Sequence, residues 1–132
     1  MSLLVPVSWG ELLDKITILQ IKCERMTDAV KLANVRHELD LLVSARDRHL
    51  VRPTGLNDLV AALRLVNERL WDIEDAIRLK EKHQDFGAGF VALARAVYQT
   101  NDRRADLKHR INTLLGSQVV EEKSYQPYEA GN

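Results

Sequence analysis

Six apolar residues in the middle of the chain, Leu59, Leu63, Val66, Leu70, Ile73 and Ile77, follow one another at alternating steps of four and three. On an α-helix this spacing draws a narrow apolar seam along one side, suited to zipping against an antiparallel neighbour. On a strand the same residues would scatter over both faces. The spacing predicts one helix from about Leu56 to His83, roughly 40 Å long at 1.5 Å per residue. A helix of that length with a single apolar seam needs a partner, and the rest of the chain must supply it.

The segments on either side do so. Asp85-Phe-Gly-Ala-Gly89 reads as a turn, after which Phe90, Leu93, Val97, Leu107, Ile111 and Leu114 mark a second long helix closed by Gly116. Upstream, Ser8 is placed to cap a helix running from about Trp9 to Met26, with Glu11 reaching back to the Ser8 N–H. Leu12, Ile16 and Leu19 form its stripe, widened by Leu13 and Ile21. Thr27-Asp28 is a short break with Asp28 as the next cap. Leu32, Val35, Leu39 and Leu42 then carry a helix to about Leu50, before the Pro53 and Gly55 loop.

Short breaks return a helix alongside itself, so the expected architecture is an all-α antiparallel bundle of two helical hairpins, four helices in all. Residues 1–132 form one domain, with an extended segment at 1–7 and a tail at 117–132. The second hairpin is longer than the first, and its overhang predicts a homodimer. In an up-down bundle the start of the first helix and the end of the fourth share one end. Leu3–Val7 should then lie beside Gln118–Glu121, with Glu122, Lys123 and Tyr125 near Glu11 and Lys15.

Composition excludes several function classes. Nineteen basic residues balance nineteen acidic ones, so no bulk field favours nucleic acid or an anionic membrane. No apolar run approaches the roughly 20 residues a bilayer requires. Leu3-Leu-Val5 lacks a basic leader and stops at Pro6, unlike a secretory signal. A single cysteine, Cys23, cannot form an internal disulfide, which suits a cytoplasmic location. The four histidines show no metal-ligand spacing, and neither a metal nor a cofactor is expected.

The candidate site is a break in the seam of the fourth helix. Continuing from Val97, the stripe lands on Thr100 or Asn101 and then Arg104 before apolar residues resume at Leu107. In a hairpin turning near residue 85, these positions lie level with Asn67 to Trp71. Asn67, Trp71 and Glu74 fall at i, i+4, i+7 on that side, so an amide, an indole, a carboxylate and a guanidinium converge at mid-bundle, where polar groups must be paired. Asn67, Trp71, Asn101 and Arg104 are expected to line a polar pocket, with Lys15 and Arg103 at its mouth; two arginines and an amide suit a phosphate or carboxylate. The competing reading is a buried network that fixes helix register. The first helix is expected to bring Glu11, Asp14 and Lys15 to the same region, the competing reading of Asp14 being a simple preference for a helix N-terminus.

Glu68, Asp72 and Asp75 form a carboxylate stripe of the kind all-α nucleotide pyrophosphohydrolases use to hold magnesium, although Arg64–Glu68 and Glu74–Arg78 are ready-made ion pairs. The helical chorismate mutases are a second template, and would require Lys15, Arg103 and Arg104 to converge on one cavity.

The run Ser8-Trp-Gly-Glu-Leu-Leu-Asp-Lys-Ile-Thr-Ile-Leu19 resembles the signature of a family of small bacterial helical proteins of unknown function, which begin Ser-x-Gly-Glu-Leu-(Ile/Leu)-Asp-Lys-Ile-Thr-Ile-Leu. The resemblance continues through Lys31-Leu-Ala-Asn-Val-Arg36, Val66-Asn-Glu-Arg-Leu-Trp-Asp-Ile-Glu-Asp75, Tyr98-Gln-Thr-Asn-Asp-Arg-Arg104 and Glu121-Glu-Lys-Ser-Tyr125. It implies a helical fold and an association with cell-surface glycan assembly through glycosyltransferases, but no activity. The leading expectation is therefore a non-catalytic binding or accessory module for a small anionic ligand or a partner protein. The alternative is an all-α enzyme acting on an anionic small molecule.

Overall fold

The computed structural model describes residues 1–129. They form four helices, α1 (Trp9–Arg25), α2 (Ala29–His49), α3 (Leu56–Lys82) and α4 (Ala88–Leu115), and no strand. Helix accounts for 72% of these residues. The fold is all-α, as the spacing predicted. The last three residues of the expected 117–132 tail lie outside the described residues. Leu3–Val7 forms no strand with Gln118–Glu121, and all of residues 1–7 are exposed.

Each helix end follows from its local sequence. Ser8 Oγ accepts from the Glu11 N–H at 3.1 Å and Asp28 caps α2 through the Lys31 N–H at 2.9 Å. Gly116, at φ 61°, closes α4, and the Ser117 N–H returns to the Asn112 carbonyl at 2.9 Å. The end of α3 has the same return, Asp85 N–H to the Lys80 carbonyl at 2.9 Å, with Gln84 at φ 55° where glycine is usual. The reciprocal half of the expected capping box does not form. The Glu11 carboxylate instead accepts from Lys108 Nζ on α4 at 2.6 Å, a charged partner that outcompetes a backbone N–H.

The packing is not that of a square bundle. The long hairpin α3–α4 forms a groove and α1 lies in it, while α2 closely approaches α1 alone among the described residues. The reason is in the sequence. In α1 the residues Leu13, Ile16, Leu19 and Ile21 are all at least 97% buried, and Asp14 and Thr17 are buried beside them. A helix covered on nearly every side is a central helix. By contrast α2 carries charge around most of its circumference and buries only Val35, with Leu39, Leu42 and Val43 packed half-exposed against the core.

The core is the cluster of Leu13, Ile16, Leu56, Leu63, Val66, Leu107 and Ile111. Fully burying each of these side chains contributes about 1.5–3 kcal/mol. The seam of α3 is the one the 4-3 spacing drew, with Leu63, Val66 and Ile73 buried. In α4 the last core position belongs to Leu115 rather than Leu114, which is 39% exposed. Stepping four from Ile111 keeps that position on the seam of a straight helix. At Gly10 the two backbones of α1 and α4 come so close that a Cβ there would sit 2.5 Å from the Lys108 carbonyl oxygen.

Candidate functional site

The polar break in the α4 seam faces α1, and its partner is Asp14. This carboxylate is completely buried. Arg104 grips it with two hydrogen bonds, Nε to Oδ1 at 2.9 Å and Nη2 to Oδ2 at 2.5 Å. Asn67 Nδ2 donates to Asp14 Oδ1 and to Thr17 Oγ1, both at 2.9 Å, and the Thr17 hydroxyl donates to the Asp14 carbonyl at 2.7 Å. One residue from α3, two from α1 and one from α4 are thus locked together. Both amide hydrogens of Asn67 are used. No buried side-chain nitrogen or oxygen among the described residues lacks a partner.

Electrostatics reinforce the arrangement. The hydrogen bond to Asp14 raises the Arg104 pKa above its usual value, with the charges of Asp14, Glu11 and Glu121 acting in the same direction; burial works against them. Asp14 therefore does more than favour a helix N-terminus. It sits on the stripe Gly10, Asp14, Thr17, Ile21, which turns towards α3 and α4, and its charge is neutralised from across the bundle.

The expected six residues separate into two groups. Asn67, Asn101 and Arg104 lie close together, as the hairpin register predicted. Asn67 is 5% exposed and enclosed in the network. Asn101 and the outer edge of Arg104, whose side chain is 30% exposed, line an open cleft. Trp71, Lys15 and Arg103 do not line it. Trp71 packs under Arg25, whose guanidinium lies 5.8 Å from the ring centroid. Lys15 turns to Glu38 of α2 at 3.9 Å, because as the next residue after Asp14 it projects about 100° away around the helix. Arg103 is exposed, a neighbour of Arg104 in sequence but 100° away around the helix.

The cleft, with a volume of about 650 Å³, lies between the C-terminal half of α4 and the tail, which folds back along that helix. Its α4 wall includes Arg104, Lys108 and His109, and its tail wall runs from Glu121 to Tyr125. The tail is tied down by Lys123 to Asp102 at 2.5 Å and by Tyr128 packed at a 55° tilt against Tyr98, ring centroids 5.0 Å apart. Glu121 reaches Ser8 Oγ at 3.3 Å and Lys108 Nζ at 3.4 Å. The end-sharing of α1 and α4 is as expected, but Glu121 rather than Glu122 or Lys123 meets the start of α1. There Asn112 Oδ1 accepts from the Gly10 N–H at 2.6 Å and Ser117 Oγ from the Trp9 N–H at 3.3 Å. The first N–H groups of α1 are thereby capped by α4 and its tail.

Asn112, Lys108 and Glu121 escaped the sequence reading as site residues. Asn112 had one detectable signal, a polar residue beside Ile111 on the seam. Glu121 was expected only as part of the tail segment near the start of the first helix, and Lys108 had no signal, since a charged residue on a long helix is ordinary.

Two of the three carboxylates of the α3 stripe are paired: Glu68 accepts from Arg64 at 2.9 Å and Asp72 from Arg25 at 2.5 Å, while the third, Asp75, is exposed. Among the described residues no three His, Cys, Asp or Glu side chains gather to hold a metal ion, and no helix is long and apolar enough to cross a membrane.

Comparison with known families gives one match. The model of a family of unknown function (DUF6165) matches residues 3–130. The chain belongs to this family. The match spans both hairpins, the cleft and the tail, so the family's extent coincides with all four helices. No curated protein and no solved structure matches the chain.

Proposed function

We propose that the protein is a non-catalytic binding module that takes a small anionic ligand in the cleft between α4 and the tail. One observation carries this reading. Asp14 holds Arg104 from behind through Nε and Nη2, while Nη1 has no hydrogen-bond partner among the described residues and the side chain is open to the cleft. A guanidinium fixed on one edge is preorganised to receive an oxyanion on the other. Asn101, Lys108 and His109 add donors along the same wall.

What supports a binding rather than an enzymatic role is the lack of coupling among the reactive groups. His109 and Ser124 both line the cleft, but no hydrogen bond joins them. Lys15 and Arg103, which a chorismate-mutase-like site needs beside Arg104, stand elsewhere. The resemblance to a bacterial family associated with glycosyltransferases supports a role in cell-surface glycan assembly with a glycosyltransferase as partner, and the single cysteine supports a bacterial cytoplasmic location. The apolar overhang of α3–α4 supports a homodimer.

The test is thermal unfolding with inorganic phosphate, a nucleotide-sugar and a dicarboxylate, on the wild type and Arg104→Lys. A ligand at 100 times its Kd adds about 2.7 kcal/mol to stability. The variant keeps the charge but loses the bidentate fork, so ligand-induced stabilisation should shrink. If no anion stabilises the wild type, the cleft is not an anion site.

A further inference from the structure

The cleft already holds a carboxylate, and it belongs to the protein's own tail. Glu121 lies on Ser8 Oγ at 3.3 Å and Lys108 Nζ at 3.4 Å, both long for hydrogen bonds to a charged group, and its side chain is 52% exposed. Lys108 is different. Glu11 holds it at 2.6 Å, and only 15% of its side chain is exposed. The ammonium is therefore fixed by α1 whether the tail is in place or not, and Glu121 can leave without orphaning it. Within residues 118–129 every residue is exposed and none is in a helix or strand. A segment held by a few exposed ion pairs and one aromatic contact opens at little cost.

The donors left behind have a definite geometry. Arg104 and Lys108 are four apart on α4 and both face the cleft, so their stems lie about 5–6 Å from each other. The two oxygens of Glu121 engage Lys108 and Ser8 and leave Arg104 Nη1 unmet. A tetrahedral phosphate group carries more oxygens, pointing in more directions, and more charge at neutral pH. It can take the place of Glu121 on Lys108 and meet Arg104 at the same time.

Building on the anion-binding reading above, we infer that the ligand is a soluble phosphate-bearing molecule whose phosphate replaces Glu121, and that binding releases the tail from α4. Glu121 acts as an internal competitor, so the tail reports occupancy of the cleft to whatever the protein works with.

The experiment uses the full chain with inorganic pyrophosphate as the probe and malonate as the carboxylate comparison. Calorimetric titration gives Kd for the wild type, Glu121→Gln and Glu129→Gln; the last removes the same charge from the tail outside this cleft. Trypsin cleavage after Lys123 reports tail release. Pyrophosphate should bind Glu121→Gln several-fold more tightly than the wild type, leave Glu129→Gln within about twofold, and speed cleavage of the wild-type tail. Equal affinities for all three proteins, or a cleavage rate that pyrophosphate does not change, would overturn the competitor role and leave the anion site standing. Binding of malonate alone would overturn the phosphate assignment. Binding of neither anion to any of the three proteins would remove the site itself and this inference with it.

Discussion

Arg104 on α4 and Asp14 on α1, ninety residues apart in sequence, form a two-pronged ion pair in which the carboxylate is completely buried. Such a pair contributes little compared with apolar residues of the same shape, because both charges lose their water. Breaking it on one side is another matter. Arg104→Met should cost about 3–5 kcal/mol, since it strands a buried carboxylate. Asp14→Asn should cost less, because Arg104 is part-exposed and can turn to water. Denaturant unfolding of the two single variants and the double variant checks this, with a coupling of at least about 1 kcal/mol expected.

Gly10 is fixed by the approach of α1 to α4. A methyl group there meets the Lys108 carbonyl oxygen at 2.5 Å, a backbone atom that cannot swing aside. Gly10→Ala should destabilise by about 1–3 kcal/mol despite the better helix propensity of alanine. Loss of protection at the Gly10 amide, which now donates to Asn112, should accompany it in hydrogen exchange.

The turn between α3 and α4 should weaken in acid. The hydrogen bond from Lys80 holds the Asp85 pKa below its usual value, helped by the Gly87 N–H. A lowered folded-state pKa means that the ionised form is favoured in the native turn. Its contribution is present above the unfolded value, near pH 4, and is lost as pH falls through the folded one. Exchange at the Gly87 amide should therefore accelerate below about pH 4 in the wild type, and show no such acid step in Asp85→Asn.

The overhang predicts self-association. From Trp9 to Arg25, α1 has 17 residues against 27 in α3, leaving about 15 Å of the long hairpin uncovered. Leu79, Phe86 and Val91, all more than half exposed, crowd that end. Light scattering at tens of micromolar should give twice the chain mass, and Phe86→Asp with Val91→Asp should return it to one. A wild type that stays at the single-chain mass on concentration has no such interface.

The helices were legible because periodicity and capping are local. The seam of α3, the Asp28 cap and the Gly116 closure depend on residues within a few turns of one another, and each forms where the spacing put it. The pairing of Asn67 with the Arg104 region was also legible, since a five-residue turn leaves one register for the hairpin. The apolar stripe of α1 was largely legible as well, with Leu13, Ile16, Leu19 and Ile21 buried, but not how far burial extends around the helix, to Asp14 and Thr17. Leu12 and Leu13 are equally apolar, and only packing in the α3–α4 groove makes Leu13 core and leaves Leu12 half-exposed.

By itself, then, the sequence determined four helices, their ends and the antiparallel return of each hairpin, because these rest on hydrogen bonds and apolar spacing close along the chain. Tertiary structure alone decided that α1 is the central helix, that Asp14 is the counter-charge of Arg104, and that Glu121 reaches Lys108. Those outcomes depend on how two hairpins rotate against each other. A carboxylate bears no local mark of whether that rotation leaves it in water or against a guanidinium.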